Sequence, residues 1–237
     1  MITTARATLA ALGLGLGLVG GALPAAAGSD DGNFMVRVLG SVVDPETDAT
    51  VRAGGAVIPG ANAEASTEVI PALTLSYFLN KNLALELYCC FSKHEIDGKG
   101  SIAPFGEIAD TWIFPPAVTL QYHFTGMGAW KPYVGAGFQY IAFFDEGTGR
   151  NALGATGVGI DDAIGFTLQG GIDISIGNGW YLNADVKKTW LDTSIEWKGT
   201  PYRADADLDP WMFSVGLGYR FNLGDLFGHR AEAAPIK

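Results

Sequence analysis

From Trp211 to Phe221 every odd position is large and apolar: Trp211, Phe213, Val215, Leu217, Tyr219 and Phe221. The even positions are Met212, Ser214, Gly216, Gly218 and Arg220, small or polar apart from Met212. Successive side chains of a strand point to opposite faces, so this strand has one greasy wall and one mostly polar wall. Its greasy face begins and ends in rings and holds aliphatics between. A strand that crosses a bilayer takes that order, with aromatics at the two interfaces and hydrocarbon in the middle. A soluble sheet alternates too, but rarely sorts its rings to the ends of one face.

The rest of the chain repeats the pattern. Phe34 to Val43 turns Phe34, Val36 and Val38 outward and Arg37, Leu39 and Ser41 inward. Ser66 to Leu79 shows Leu73, Leu75, Tyr77 and Leu79 outward. After a turn at Asn80-Lys81, Leu83, Leu85, Leu87, Cys89 and Phe91 face out, against Glu86, Tyr88, Cys90 and Ser92. A fourth segment runs from Trp112 to Phe124, a fifth from Val134 to Phe144 and a sixth from Ile164 to Ile176. Asn178-Gly179 is a hairpin signal, and Trp180 to Trp190 and Trp211 to Phe221 complete eight segments. Long polar stretches (Asp44 to Ala65, Lys93 to Asp110, Asp145 to Asp161, Ser194 to Leu208) alternate with short turns. The reading is an all-β, eight-stranded antiparallel transmembrane barrel with four long extracellular loops and three short periplasmic turns. A closed barrel has no free edge, so a monomer is expected.

Arg6, the apolar run Leu9 to Leu23 and Ala25-Ala26-Ala27 read as a secretory signal peptide over residues 1–27. Residues 28–221 are then the barrel. No later apolar run is long enough for a spanning helix, which points to the outer membrane of a Gram-negative bacterium. Arg6 is the leader's one cation, so 14 Lys and Arg stand against 25 Asp and Glu in the mature chain, a net charge of −11. Such a chain is not expected to bind nucleic acid by counter-ion release. Cys89 and Cys90 would face opposite sides of a strand, and bridging them would strain the backbone, so they read as apolar fillers. No cofactor and no metal are expected.

The segments also resemble the OmpW family of outer-membrane proteins, with its AlkL-like members. The resemblance lies in Leu73 to Phe78 with Asn82 to Leu87, in Pro115 to Phe124, and in Lys131 to Gly137. It continues through Phe143 to Glu146, Leu182 to Val186 and the closing strand. It implies an eight-stranded barrel with a narrow, hydrophobic lumen that passes small apolar molecules across the outer membrane, as alkane-uptake relatives are thought to do. The family usually ends at a terminal Tyr-Arg-Phe that the barrel-assembly machinery reads. Here Tyr219-Arg220-Phe221 is followed by Asn222 to Lys237, read as a periplasmic tail over residues 222–237. Partners expected in biogenesis are that machinery and periplasmic chaperones, and afterwards outer-membrane lipid and small hydrophobic solutes.

Strand direction sorts the inward residues by depth. Arg37, Glu86, Gln121, His123, Gln169, Asp173, Asp185, Lys187 and Arg220 lie toward the periplasm and should pair into a polar plug, because unpaired buried ions are costly. Leu39, Ile113, Pro115, Ile141, Phe143, Leu191 and Met212 lie toward the outside and form a candidate ligand pathway. An eight-stranded barrel is just wide enough for side chains to fill, so an apolar solute would leave sideways. Pro71, Pro115 and Pro116 lack ladder donors and are the candidate lateral exits. The plainer alternative is that the upper residues only pack against one another.

Other chemistry is weaker. Ser92, His94, Glu95 and Asp97 could be assembled as nucleophile, base and acid, but no strained nucleophile turn is present and no enzyme is expected. One His among scattered carboxylates is not a zinc spacing. Gly135-Ala136-Gly137 and Gly216-Leu217-Gly218 make room inside strands and do not cradle phosphate. A structural or adhesion barrel, serving as a surface receptor or as one for phage or bacteriocin, is the alternative function.

Overall fold

Alternation of side chains along long, Gly-punctuated runs leaves the backbone one stable arrangement in lipid, a sheet closed on itself. The computed structural model describes residues 31–150 and 154–226. The expected signal peptide, residues 1–27, and the expected tail over residues 222–237, apart from its first five residues, lie outside the described residues. In chain order the strands are β1 (Phe34–Asp44), β2 (Asp48–Ala53), β3 (Ala56–Val57), β4 (Ala61–Ala65), β5 (Glu68–Phe78), β6 (Leu83–Cys90), β7 (Ser92–Gly100) and β8 (Glu107–Phe114). They continue with β9 (Ala117–His123), β10 (Trp130–Gly147), β11 (Gly157–Ile160), β12 (Ala163–Gly177), β13 (Trp180–Trp190), β14 (Asp192–Lys198), β15 (Tyr202–Asp207) and β16 (Trp211–Phe221). No described helix is long and apolar enough to cross a membrane.

Eight strands form the ring β1–β5–β6–β9–β10–β12–β13–β16, antiparallel throughout. First and last strands close it, in register from Phe34↔Phe221 to Asp44↔Trp211. The outer wall is the expected one: Leu73, Leu85, Leu120, Phe138, Leu168, Leu182 and Val215 are all exposed. Asn178 and Gly179 both take positive φ, 54° and 77°, the turn that matches strand twist in a two-residue hairpin.

The four long connections stand where expected, and much of each is strand. β2, β3, β11, β14 and β15 form a second sheet, while β4, β7 and β8 extend the first beside the upper part of β10. The physical reason is visible along β13 and β14. Even residues face out and odd residues in through both strands, but the chemistry inverts on leaving the membrane. Trp180, Leu182 and Trp190 face out below, whereas Asp192, Ser194, Glu196 and Lys198 face out above. Inside, Asp185 and Lys187 give way to Ile195 and Trp197. The extracellular part therefore has a core of its own, with Val51, Ile96, Ile108, Val158, Ile195 and Trp197 buried in it.

Candidate functional site

The lower lumen is filled by one network of charges. Arg37 Nε and Nη2 donate to the two carboxylate oxygens of Asp173 at 3.0 and 2.6 Å, and Nη1 reaches Glu86 at 3.1 Å and Ser76 at 2.7 Å. Lys187 Nζ lies 3.3 Å from Glu86 and 2.6 Å from Asp185. Gln169 Nε2 donates to Glu86 and Asp185 at 2.9 and 2.7 Å, and its Oε1 accepts from Thr119 and Gln121. His123 Nε2 meets the side-chain Oε1 of Gln121 at 3.0 Å. Arg37, Glu86, Asp173 and Lys187 are each 1% exposed. Such ions survive burial only with partners on every side, and these have them.

Arg220 is buried but stands apart from these carboxylates, its Nε donating to the Gly32 carbonyl at 2.7 Å and its guanidinium 3.7 Å from the centre of the Phe78 ring. Tyr133 and Asn183 were not among the expected plug residues and belong to it. Tyr133 OH donates to Asp185 at 2.7 Å, and Asn183 Nδ2 donates to Asp173 at 2.9 Å.

Above the plug lies a neutral layer. Thr189 donates to Gln139 at 2.7 Å, Gln139 Nε2 donates to the Pro115 carbonyl at 3.2 Å, and Ser41 meets Ser214 at 2.7 Å. Above that layer is an apolar cavity of about 620 Å³, a volume that includes space open to solvent. Ile113, Pro115, Ile141, Phe143 and Met212 of the expected pathway line it, joined by Ile96, Ile160, Ile195 and Leu208. Leu39 packs with Tyr88 and Met212, and Leu191 packs with Ile113, Ile141 and Ala163, so both back the wall without lining the space. The sequence reading missed Ile96, Ile160 and Ile195 because they stand in stretches read as loops. Their signal was there, as apolar residues alternating with charged ones.

The three prolines meet at one place in the wall. The β5–β6 ladder ends at Ala72↔Cys90, and its register would next set Phe91 opposite Pro71. The β6–β9 ladder ends at Tyr88↔Ala117, and the β7–β8 ladder begins at Ser92↔Ile113 in the same register. Between them, Cys90 would face Pro115, which has no N–H to give, while Cys89 falls opposite Pro116, whose carbonyl accepts from Tyr140 on β10. Phe91, the residue between β6 and β7, is thus unpaired on both sides among the described ladders.

His94 spans the gap beside Pro71. Its Nδ1 lies 2.8 Å from the Ser66 carbonyl, which fixes that nitrogen as the donor, so Nε2 accepts from Ser92 Oγ at 2.9 Å. Both side chains are buried, and burial holds the imidazole below its usual pKa. Ser92 and His94 are therefore brought together, but Glu95 is exposed and the group behind the imidazole is a backbone carbonyl, not an acid. Cys89 and Cys90 are both free thiols. Among the described residues no group of three or more His, Cys, Asp or Glu could hold a metal ion.

The OmpW family model matches residues 30–221. Outer membrane protein W of Vibrio cholerae is 31% identical over 201 residues, which cover 81% of this chain and 89% of that protein. The dibenzothiophene metabolism operon protein PahQ of Pseudomonas aeruginosa is 26% identical over 196 residues, 81% of this chain and 90% of that one. In fold, the crystal structure of the outer membrane protein OprG from Pseudomonas aeruginosa is similar at a TM-score of 0.74 and 29% identity, covering 83% of this chain and 99% of that one.

Proposed function

Because the chain belongs to the OmpW family and is an outer-membrane β-barrel, we propose that it takes up small apolar molecules from outside and releases them sideways into the membrane. The observation that carries this reading is an apolar cavity standing above a closed polar plug. The apolar lining suits a small hydrophobic ligand, whereas the ion pairs below leave such a ligand no favourable way down. The relative named for dibenzothiophene metabolism, a process acting on an apolar aromatic, agrees in chemical class. The ladder break at Pro71, Pro115 and Pro116 is the proposed exit, since parting the strands there costs fewer hydrogen bonds than elsewhere. The Ser92–His94 pair is read as a wall contact without catalysis, and the working form as a monomer inserted by the assembly machinery.

The test compares uptake of a small apolar fluorophore by refolded wild type and by the Phe143→Asp, Met212→Asp double variant in liposomes, with β-barrel circular dichroism as the folding control. Saturable uptake that the folded variant loses is the expected result. Equal behaviour of the two proteins would sink the channel and favour a surface receptor.

A further inference from the structure

Two apolar spaces, not one, lie along the axis. The second sits at the extracellular tip, about 750 Å³ including its open side, lined by Ile58, Ile102, Phe105, Ile108, Trp197 and Tyr202 among others. Its floor and the roof of the inner cavity are the same packed layer. Along β14 the inward residues climb from Thr193 and Ile195, which line the inner cavity, to Trp197, which lines the tip. Along β8 the same change occurs between Thr111 and Ile108.

Trp197 closes this layer. Its Nε1 donates to the Ile108 carbonyl at 2.9 Å, so the indole reaches from the five-stranded sheet to the other sheet across the lumen. Five alanines (Ala49, Ala63, Ala109, Ala204 and Ala206) and seven Val or Ile side chains are buried with it, and Trp197 is the one fully buried aromatic there. Trp197 is the largest side chain in that partition, so its movement would open the widest passage through it.

We infer that the tip is a second binding site, an entry vestibule for small uncharged apolar or aromatic solutes, and that the Trp197 side chain is the gate between it and the inner cavity. This rests on the channel reading and deepens it. Phe105 stands at the opening, 44% exposed, ready to offer a ring face to an arriving solute. Of the two hydroxyl-bearing residues in the lining, Ser101 already donates its Oγ–H to the Pro59 carbonyl at 3.0 Å. The rest of the lining is apolar apart from the Tyr202 phenol, so the site favours apolar or aromatic solutes.

The experiment uses the full chain refolded in phosphatidylcholine liposomes, with N-phenyl-1-naphthylamine as probe. Energy transfer from Trp197 to the probe is read as the difference between wild type and Trp197→Phe, and arrival in the cavity as probe brightening. Phe105→Ala, an exposed substitution that leaves the core intact, should weaken vestibule binding roughly fivefold, the loss of one aromatic contact. Trp197→Phe should speed passage into the cavity by about threefold, because the smaller ring leaves the partition incomplete. If both variants load the cavity at the wild-type rate while the Phe143→Asp, Met212→Asp variant fails to load, the gate and vestibule are wrong and the channel stands. If that double variant also loads normally, the channel reading falls and takes the vestibule with it.

Discussion

Arg37 and Lys187 bind opposite oxygens of one carboxylate: Arg37 Nη1 is 3.1 Å from Glu86 Oε2, and Lys187 Nζ is 3.3 Å from Oε1. Each cation also holds a carboxylate of its own, Asp173 for Arg37 and Asp185 for Lys187. The Glu86 carboxylate is therefore the third acid shared by two bases.

That arrangement makes two variants behave oppositely. Arg37→Ala leaves Glu86 and Asp173 without their guanidinium in a buried site, which should cost about 3–5 kcal/mol. Glu86→Gln leaves Arg37–Asp173 and Lys187–Asp185 as two balanced pairs, keeps a carbonyl to accept from Gln169 and turns its amide N–H toward Arg37 and Ser76, so its loss should be smaller. Urea unfolding midpoints in detergent micelles check this. Equal destabilisation by both variants would mean that charge balance is not what holds the plug.

The ladder break gives a prediction of opposite sign for stability and uptake. Pro71→Val restores an N–H opposite Phe91 on a strand whose register already continues there. One added hydrogen bond should raise stability by about 1 kcal/mol, while uptake of the apolar fluorophore slows because the wall parts less readily. Faster or unchanged uptake in a folded Pro71→Val protein would place the exit elsewhere.

How much of this was legible depended on which side of the membrane surface a residue stood. Within the bilayer the alternation sorts large apolar side chains from polar ones, and Phe34, Leu73, Leu120 and Trp180 could be assigned outward from the sequence. Above it the same backbone phase continues with its chemistry reversed. Ser194, Glu196 and Lys198 then hide the inward Ile195 and Trp197, and a charged alternating stretch reads as a loop. The plug was readable as a set of inward charges, but its pairing was not, because Arg37 and Asp173 are 136 positions apart. Tyr133 was missed because it follows Pro132 at a strand entrance, where the alternation has barely begun.

His94 should make the extracellular wall acid-sensitive. Burial lowers its pKa in the folded protein, so the unfolded chain binds a proton first as pH falls. The stability this neutral imidazole contributes is fully present above the unfolded value of about 6.5 and declines as pH drops from there toward the folded value. Unfolding midpoints at pH 8 and pH 5 should therefore differ more for wild type than for His94→Gln. The substituted amide can still donate to the Ser66 carbonyl but does not titrate. Identical pH slopes would show that the imidazole is not a source of the effect.

Two neighbouring glycines supply the sharpest contrast. Gly170 and Gly171 are consecutive on β12, yet a Cβ on Gly170 meets nothing within 4 Å, whereas one on Gly171 comes within 2.5 Å of the Tyr133 ring and 2.8 Å of the Ala184 carbonyl. Gly171 faces the lumen and leaves room for the ring whose hydroxyl donates to Asp185 and accepts from Asn183 at 3.0 Å. Gly171→Ala must push Tyr133 aside and strip a hydrogen bond from a buried carboxylate, a loss of about 2 kcal/mol or more. Gly170→Ala adds a methyl on the opposite face and removes backbone freedom from the unfolded chain, so it should be neutral or stabilising by up to about 1 kcal/mol. Unfolding midpoints of the two single variants decide it: a Gly171→Ala protein as stable as the Gly170→Ala protein would mean that Tyr133 can leave its place in the plug without consequence.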